Sequence, residues 1–451
     1  MRRVLFLAYY FPPIGGAGAQ RPARMVRHLR AHGWEPVVVT GPGAGGGRWT
    51  PTDDVLAREL PADVEVLRVP GPEPGQVEGR AQRWLRRPSE WSRWWVDGAV
   101  ETGRHVAGID LVYCWLSPFE TTTAAARLAR GHGVPWVADL GDPWALDEMM
   151  VYPTGLHRRL EIARMGRSLS AAAGISMSTP EAVERVRASF PALDRTYVVA
   201  VPNGFDADDF AAPLAPRADG AFRIVHTGYL HTALGLRHRR SARVRRILGG
   251  AVRGVDFLTR SHVYLVEAVD RLRERCPELA GNLEVHLAGV LSPDDERFTG
   301  RTGAVRTHGY LSHDETLDLI RTADLLFLPM QDLPAGRRAT IVPGKTYEYL
   351  GAGRPILAAV PEGDARSILS EAGHALIVRP GDVEGMERAI ARQLRRARAD
   401  QPPLEPRADV VARYEYGRLT SRLAELFDGA VGAPAPARRA VEPHAVPARA
   451  S

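Results

Sequence analysis

Apolar residues along this chain fall into short runs separated by stretches of helical period. Residues 4–9, 36–40, 64–69, 110–115, 134–140, 174–177 and 197–201 are of strand length and rich in β-branched and aromatic side chains. Residues 20–32, 117–132, 156–172 and 181–190 repeat apolar positions at the spacing of an amphipathic helix. Strand and helix in alternation predict parallel β-α-β units. After a Pro/Ala/Gly linker at 213–220 the series starts again. Strands are expected at 222–226, 283–288, 305–309, 324–329, 356–360 and 374–378, and helices at 263–272, 313–321, 383–398 and 409–427. The fold class is therefore α/β, with two doubly wound, Rossmann-like halves.

The pattern is sharpest at residues 323–360, ADLLFLPMQDLPAGRRATIVPGKTYEYLGAGRPILAAV. A buried strand leads through a Pro/Gly loop into a short helix that starts after Pro343-Gly344. Gly351 and Gly353 stop it, and Pro355 opens the next strand. In parallel sheets ligands sit outside the carboxyl ends of the strands, where helix N-termini present unpaired N–H groups to anions. Lys345 adds a full charge in the first turn. Glu348, one turn on, is a carboxylate suited to the paired hydroxyls of a ribose. The two suit a nucleotide-diphosphate sugar. The same spacing also describes a solvated i,i+3 ion pair, and these residues alone leave both readings open.

Composition narrows the field. At 451 residues the chain has room for two to three domains of about 150 residues each. Cys114 and Cys276 are its only cysteines, which argues against a disulfide scaffold or a cysteine-ligated zinc and fits a reducing cytoplasm. The net charge of +6 permits contact with phosphates or anionic lipid without calling for nucleic acid. The start, MRRVLFLAYYF, imitates a secretory signal, but it breaks at Pro12-Pro13 and reads as a first strand.

Other candidates lie in loops. FPPIGGAGA at 11–19 follows the first strand, and Gly15 and Gly16 would let backbone N–H groups approach a phosphate or sugar. Arg21, in the first turn of the helix behind it, would clamp a phosphate bidentately or be one more surface arginine. Asp142 ends a strand in the loop Gly141-Asp142-Pro143-Trp144 and would orient an acceptor hydroxyl, or simply form the turn. Trp84, Trp91, Trp94 and Trp95 crowd one short span, to dock on a membrane interface or to pack under a domain edge. Residues 236–260 hold eight arginines against Asp256. They are expected to form a mobile basic loop, with a membrane-surface or phosphate-gripping segment as the sharper reading.

The segments YYFPPIGGAGAQR, GWEPVVVT, VPWVADLGDPW, VPNGFD and PGKTYEYLGAGRPILA, in this order, resemble the retaining GT-B glycosyltransferases of family 4. The resemblance implies two Rossmann-like domains facing across a cleft: residues 1–205 binding the acceptor, and residues 206–405, with the basic insertion, binding a nucleotide sugar. It implies a helix at 406–428 that packs back on the first domain; the Ala/Pro/Arg composition from 429 to 451 reads as a disordered tail. Glu348 matches the second of the family's two donor-segment glutamates, and Thr340 stands where the first would fall. Gly228-Tyr229-Leu230 lacks the family's Arg and Lys for the diphosphate, so Lys345 or Arg237 is expected to substitute. The family's crevice histidine has no match in LVYCWLSPF.

These features predict a glycosyltransferase that moves a sugar, from a UDP- or GDP-sugar donor, to a hydroxyl acceptor with retained configuration. Asp142 and Arg21 are the expected catalytic residues, and Gly15, Gly16, Lys345, Glu348, Thr340 and Arg237 the donor-binding ones. No metal and no cofactor is expected, since no DxD-type carboxylate pair ends a strand. The expected site of action is the cytoplasm or the inner face of a membrane, with a polysaccharide, a lipid-linked glycan or a secondary metabolite as the acceptor and no nucleic-acid partner. A nucleotide-sugar epimerase or hydrolase, and a non-catalytic protein binding an anionic ligand, are the alternatives.

Overall fold

The computed structural model describes residues 1–43, 52–75, 84, 87–193, 196–214, 217, 219–298 and 300–432. The expected tail from 433 on, part of the glycine-rich run at 41–47, and residues 83, 85 and 86 of the tryptophan-rich stretch lie outside them.

Two parallel sheets form the framework. The first contains β1 (Arg2–Leu7), β2 (Trp34–Thr40), β3 (Glu65–Arg68), β4 (Leu111–Trp115), β5 (Trp136–Leu140), β6 (Gly174–Met177) and β7 (Tyr197–Ala200), in the order β3-β2-β1-β4-β5-β6-β7. The second contains β8 (Phe222–Thr227), β9 (Leu283–Ala288), β10 (Val305–Gly309), β11 (Leu325–Pro329), β12 (Ile356–Ala359) and β13 (Ala375–Val378), in the order β10-β9-β8-β11-β12-β13. Both orders reverse direction once, between β1 and β4 and between β8 and β11. These are the topological switch points where a crevice opens.

The inner strands read as nearly unbroken apolar runs because both faces are covered, while the edge strands β3 and β10 are polar and largely exposed. Along β1, Leu5 and Leu7 enter the layer with Trp95 and Leu128, while Val4 and Phe6 enter the opposite layer with Met25, Trp34 and Phe427. In the second sheet Val225 and Ile224 divide in the same way.

The chain crosses between the halves twice. Asn203–Asp206 leads out of the first. The helix Tyr416–Gly432 returns to it, burying Leu419, Leu423, Leu426 and Phe427 against Val4, Phe6 and Trp34. The two crossings touch: Phe205 N donates to Tyr414 O at 3.1 Å and Tyr416 N to Phe205 O at 3.0 Å. A Cβ on Gly204 would stand 2.4 Å from Tyr414 O, so only glycine permits the approach. The helix reaches Gly432, past the 429 boundary read from composition.

The basic insertion is not a loop. It forms helices Thr232–Arg240 and Ala242–Leu248, the second ended by Gly249 at φ 69°. Arginine is a good helix former, and cations in a last turn complement the helix dipole. In the tryptophan-rich stretch, Trp91 and Trp95 are core residues on the helix Glu90–Gly103, with indole N–H groups donating to Glu73 (2.8 Å) and Thr121 (3.0 Å). Trp84 is exposed. Among the described residues no helix is long and apolar enough to cross a membrane.

Candidate active site

The two switch points face each other across a cavity of about 500 Å³. The first half contributes Tyr10, Gly15 and Gly16 of the loop after β1, Gly18 and Gln20 at the start of the first helix (Ala17–Leu29, three residues earlier than expected), and Ser117. The second contributes His226–Tyr229 after β8, Gly289 after β9, Tyr310 after β10, and Gly344, Lys345 and Glu348 after β11, with Arg260 and His313.

The helix Lys345–Ala352 is pinned to the end of β8 by its own side chains. Tyr349 Oη accepts from Thr227 N at 3.1 Å. Lys345 Nζ donates to Thr227 O and lies 3.2 Å from His226 Nε2. His226 Nδ1 is 3.0 Å from Phe327 O, a bond that requires the proton on Nδ1 and leaves the Nε2 lone pair toward Lys345. Burial, then the charge of Lys345, holds His226 well below its usual range, so the ring is neutral. Burial and the nearby Arg260 lower Lys345 to about 7, although Glu348 opposes them. An ammonium poised near neutrality beside a guanidinium is a site waiting for an anion.

The backbone makes room for that anion. Gly228, at φ 86°, lies directly beneath Lys345 Nζ, and a Cβ on Gly289 would meet Gly228 O at 2.7 Å. The ends of β8 and β9 thus approach more closely than side chains allow, and they leave an open floor under the lysine.

Of the expected residues, Gly15, Gly16, Lys345 and Glu348 are brought together around this cavity. Arg21 is not. It is 1% exposed, with Nε 2.9 Å and Nη2 3.1 Å from the Asp139 carboxylate, and it donates to Val201 O (2.8 Å) and Pro202 O (2.7 Å). Its five N–H groups are engaged in tying the first helix to β5 and to the first crossing, so it is a strut and not a phosphate clamp. Arg237 is exposed on the helix Thr232–Arg240 and does not line the cavity. The arginine that does is Arg260, at the far end of the insertion. Eight arginines share one stretch of sequence, and only the path of the chain singles out this one.

Asp142 does not line the cavity either: it is exposed at the mouth of the loop after β5, where crowding by surrounding atoms raises its carboxyl above the usual range and the charge of Arg260 opposes the rise. Thr340 is buried and faces a carboxylate from the other half. Glu148 accepts from Thr340 N at 3.1 Å, from Thr340 Oγ1, and from Gln331 Nε2 at 3.2 Å. A glutamate is thus present at this point, supplied by the first half instead of by position 340.

Glu59, Asp209 and His313 approach closely enough to suggest a cation site. The cation there is Arg24, with Nη1 2.5 Å from Glu59 and Nη2 3.1 Å from Asp209 and 3.0 Å from His313.

Two opposed Rossmann-like halves with a glycine loop on one side and a cationic helix start on the other form the arrangement of the GT-B glycosyltransferases. The chain matches the glycosyl transferase 4-like domain over residues 15–204 and the glycosyl transferases group 1 domain over residues 255–396. It belongs to this glycosyltransferase family. No curated protein matches it by sequence. Solved structures of the same fold include α,α-trehalose 6-phosphate synthase from Burkholderia multivorans (TM-score 0.57, 14% identity, covering 95% of this chain and 98% of that one). HepE of Anabaena in complex with UDP and glucose gives a TM-score of 0.54 at 14% identity, covering 95% and 100%. A putative UDP-N-acetylglucosamine 2-epimerase from Listeria monocytogenes gives 0.52 at 16%, covering 93% and 94%.

Proposed function

We propose that the chain transfers a glycosyl group from a nucleotide-diphosphate sugar to a hydroxyl acceptor with retention. The observation that carries this reading is the pairing of Lys345 and Glu348 on the first turn of one helix, facing Gly15 and Gly16 across a single cavity. Glu348 anchors the ribose hydroxyls. Lys345 and Arg260 hold the diphosphate, and the helix start behind them adds backbone donors.

Catalysis on this reading is mostly electrostatic. Negative charge grows on the departing diphosphate as an oxocarbenium-like centre forms, and fixed cations stabilise the departure more than the ground state. The acceptor hydroxyl attacks from the side the diphosphate leaves, and a phosphate oxygen takes its proton. Gly15 and Gly16 bring backbone N–H groups to that edge, and Asp142, in the loop after β5 and outside the cavity wall, orients the acceptor at the rim of the cleft. Retention follows the family resemblance, and the metal-independent reaction follows the lack of a DxD-type carboxylate pair at a strand end. An acceptor carried on a lipid would be reached by peripheral contact with a membrane.

Thermal-shift screening against UDP-, GDP- and dTDP-sugars tests the donor, and the anomeric configuration of the product tests retention. Stabilisation by one nucleotide family, lost in Glu348→Ala, is expected. Wild-type binding in that variant rejects the assignment. Sugar released or epimerised at full rate with no acceptor present favours the epimerase or hydrolase reading.

A further inference from the structure

Among the described residues exposed large apolar side chains are few, and most are gathered in one place. Leu156 and Leu160 stand on the first turns of the helix Gly155–Leu169; Val244, Ile247 and Leu248 stand on the helix Ala242–Leu248 of the other half. The two segments are in backbone contact. Tyr152 N donates to Gly250 O at 2.9 Å, and a Cβ on Gly155 would lie 3.2 Å from Gly249 O. Trp84, also exposed, joins them through an edge-on contact with His157, its ring centre 5.2 Å away. Ile247 is 85% exposed, an unusual position for such a side chain.

The charge around this ridge is predominantly positive, with Asp256 paired to Arg239 and Glu161 to Arg164. Residues 236–254 contain seven arginines and no Asp or Glu. Beside the ridge, an open recess of about 680 Å³ is lined by Arg158, Arg185, Arg253, Arg337 and Arg338 against Glu181 alone. Arg185 is engaged by Glu181 and, at 3.7 Å, by Glu148, and Arg338 by Glu181 and, at 3.8 Å, by Asp364. Arg253 and Arg337 have no carboxylate partner among the described residues, and Arg158 Nη1 is buried without one. Apolar side chains that project from a cationic face match the interface of an anionic bilayer, where the chains enter the acyl boundary and the guanidinium groups meet headgroup phosphates. A second copy of the chain would set arginines against arginines, and a nucleic acid would leave the ridge wet.

We infer that this composite face, built from both halves around Ile247 and the arginine recess, docks on a membrane surface carrying anionic phospholipid. The inference deepens the proposed function, because it names the surface that would bring a lipid-carried acceptor to the cleft. It stands apart from the donor chemistry, since neither Ile247 nor the recess lines the donor cavity.

The test is flotation of the full chain with vesicles of phosphatidylcholine alone or mixed with phosphatidylglycerol, with nucleotide-sugar binding measured on the same preparations. The wild-type chain is expected to float with the mixed vesicles only, and to be released by high salt. Ile247→Asp should cut vesicle binding at least tenfold, and so should the pair Arg253→Glu and Arg337→Glu, with donor binding unchanged in both. Equal partition to neutral vesicles, or wild-type flotation in all variants, overturns the inference. So does inorganic phosphate binding at the recess without flotation, which would assign it to a soluble anion. Self-association that Ile247→Asp abolishes, again without flotation, would assign the ridge to a second copy. Should Ile247→Asp not fold, Val244→Asp probes the same ridge. Vesicle binding without any donor binding would leave this inference standing and reject the proposed function.

Discussion

Lys345 Nζ lies 3.2 Å from the Nε2 lone pair of a neutral His226. With Lys345 lowered to about 7 by burial and by Arg260, the empty site holds its proton below that pH and loses it above. A diphosphate favours the charged form, so above pH 7 binding must take up a proton. Donor affinity is expected to be flat below pH 7 and to weaken about tenfold per pH unit above it, until the complex itself titrates. Titration calorimetry from pH 6 to 9, in buffers of different ionisation enthalpy, measures both the slope and the proton. Lys345→Arg should bind donor without the slope. A wild-type profile with no pH dependence contradicts the role given to the lysine.

Burying that ammonium also costs stability in the empty protein. Its folded pKa is depressed, so stability should rise with pH above about 7, where the unfolded chain alone stays charged, up to the ordinary lysine range. Below pH 7, Lys345→Met is expected to melt higher than wild type by a few degrees while losing donor binding about a hundredfold. A lower melting temperature together with intact binding would mean that the lysine is structural.

Arg21 should behave as a structural residue. Removing it leaves the Asp139 carboxylate buried with only the Tyr113 hydroxyl, 2.6 Å away, as its remaining hydrogen-bond donor from a side chain. Breaking a buried pair costs about 3–5 kcal/mol. Arg21→Ala is therefore expected to lower denaturant stability by that amount. Turnover per folded molecule should change less than threefold. A stable variant with turnover reduced a hundredfold would return the arginine to the chemistry.

Thr340 and Glu148 should exchange only together. Thr340→Glu alone places a second carboxylate beside a buried one, and two such charges cannot both ionise cheaply. It should destabilise the fold by about 3 kcal/mol. Adding Glu148→Gln should recover most of the loss, a coupling that a double-mutant cycle measures directly. Additive losses would show that the two residues do not communicate.

The sequence made both sheets legible, because the covered inner strands are apolar on both faces and most strands have Gly or Pro nearby; the exposed edge strands β3 and β10 showed by their β-branched residues and flanking turns. The helix Val383–Arg398 matches its expected bounds, and Lys345 and Glu348 reach the cavity because strand, loop and helix leave them nowhere else to point. What was not legible depends on distant partners. Arg21 meets Asp139 across 118 positions and Glu148 meets Thr340 across 192. Arg260 is chemically indistinguishable from the arginines before it. The helix Asp364–Ala372 escaped notice because its start, Gly363 at φ 143°, carries no capping side chain.

The hydrogen-bonded contact between Phe205 and the Tyr414–Tyr416 segment has a mechanical meaning. It is one of several ties between the halves, together with Thr179 Oγ1 donating to Thr340 O at 2.7 Å, Glu148 accepting from Thr340 N, and Tyr152 N donating to Gly250 O, and these fix how far the lysine stands from the glycine loop. A cut between residues 405 and 414 would both unfasten the tie at Phe205 and strip the first half of the helix that seals its core.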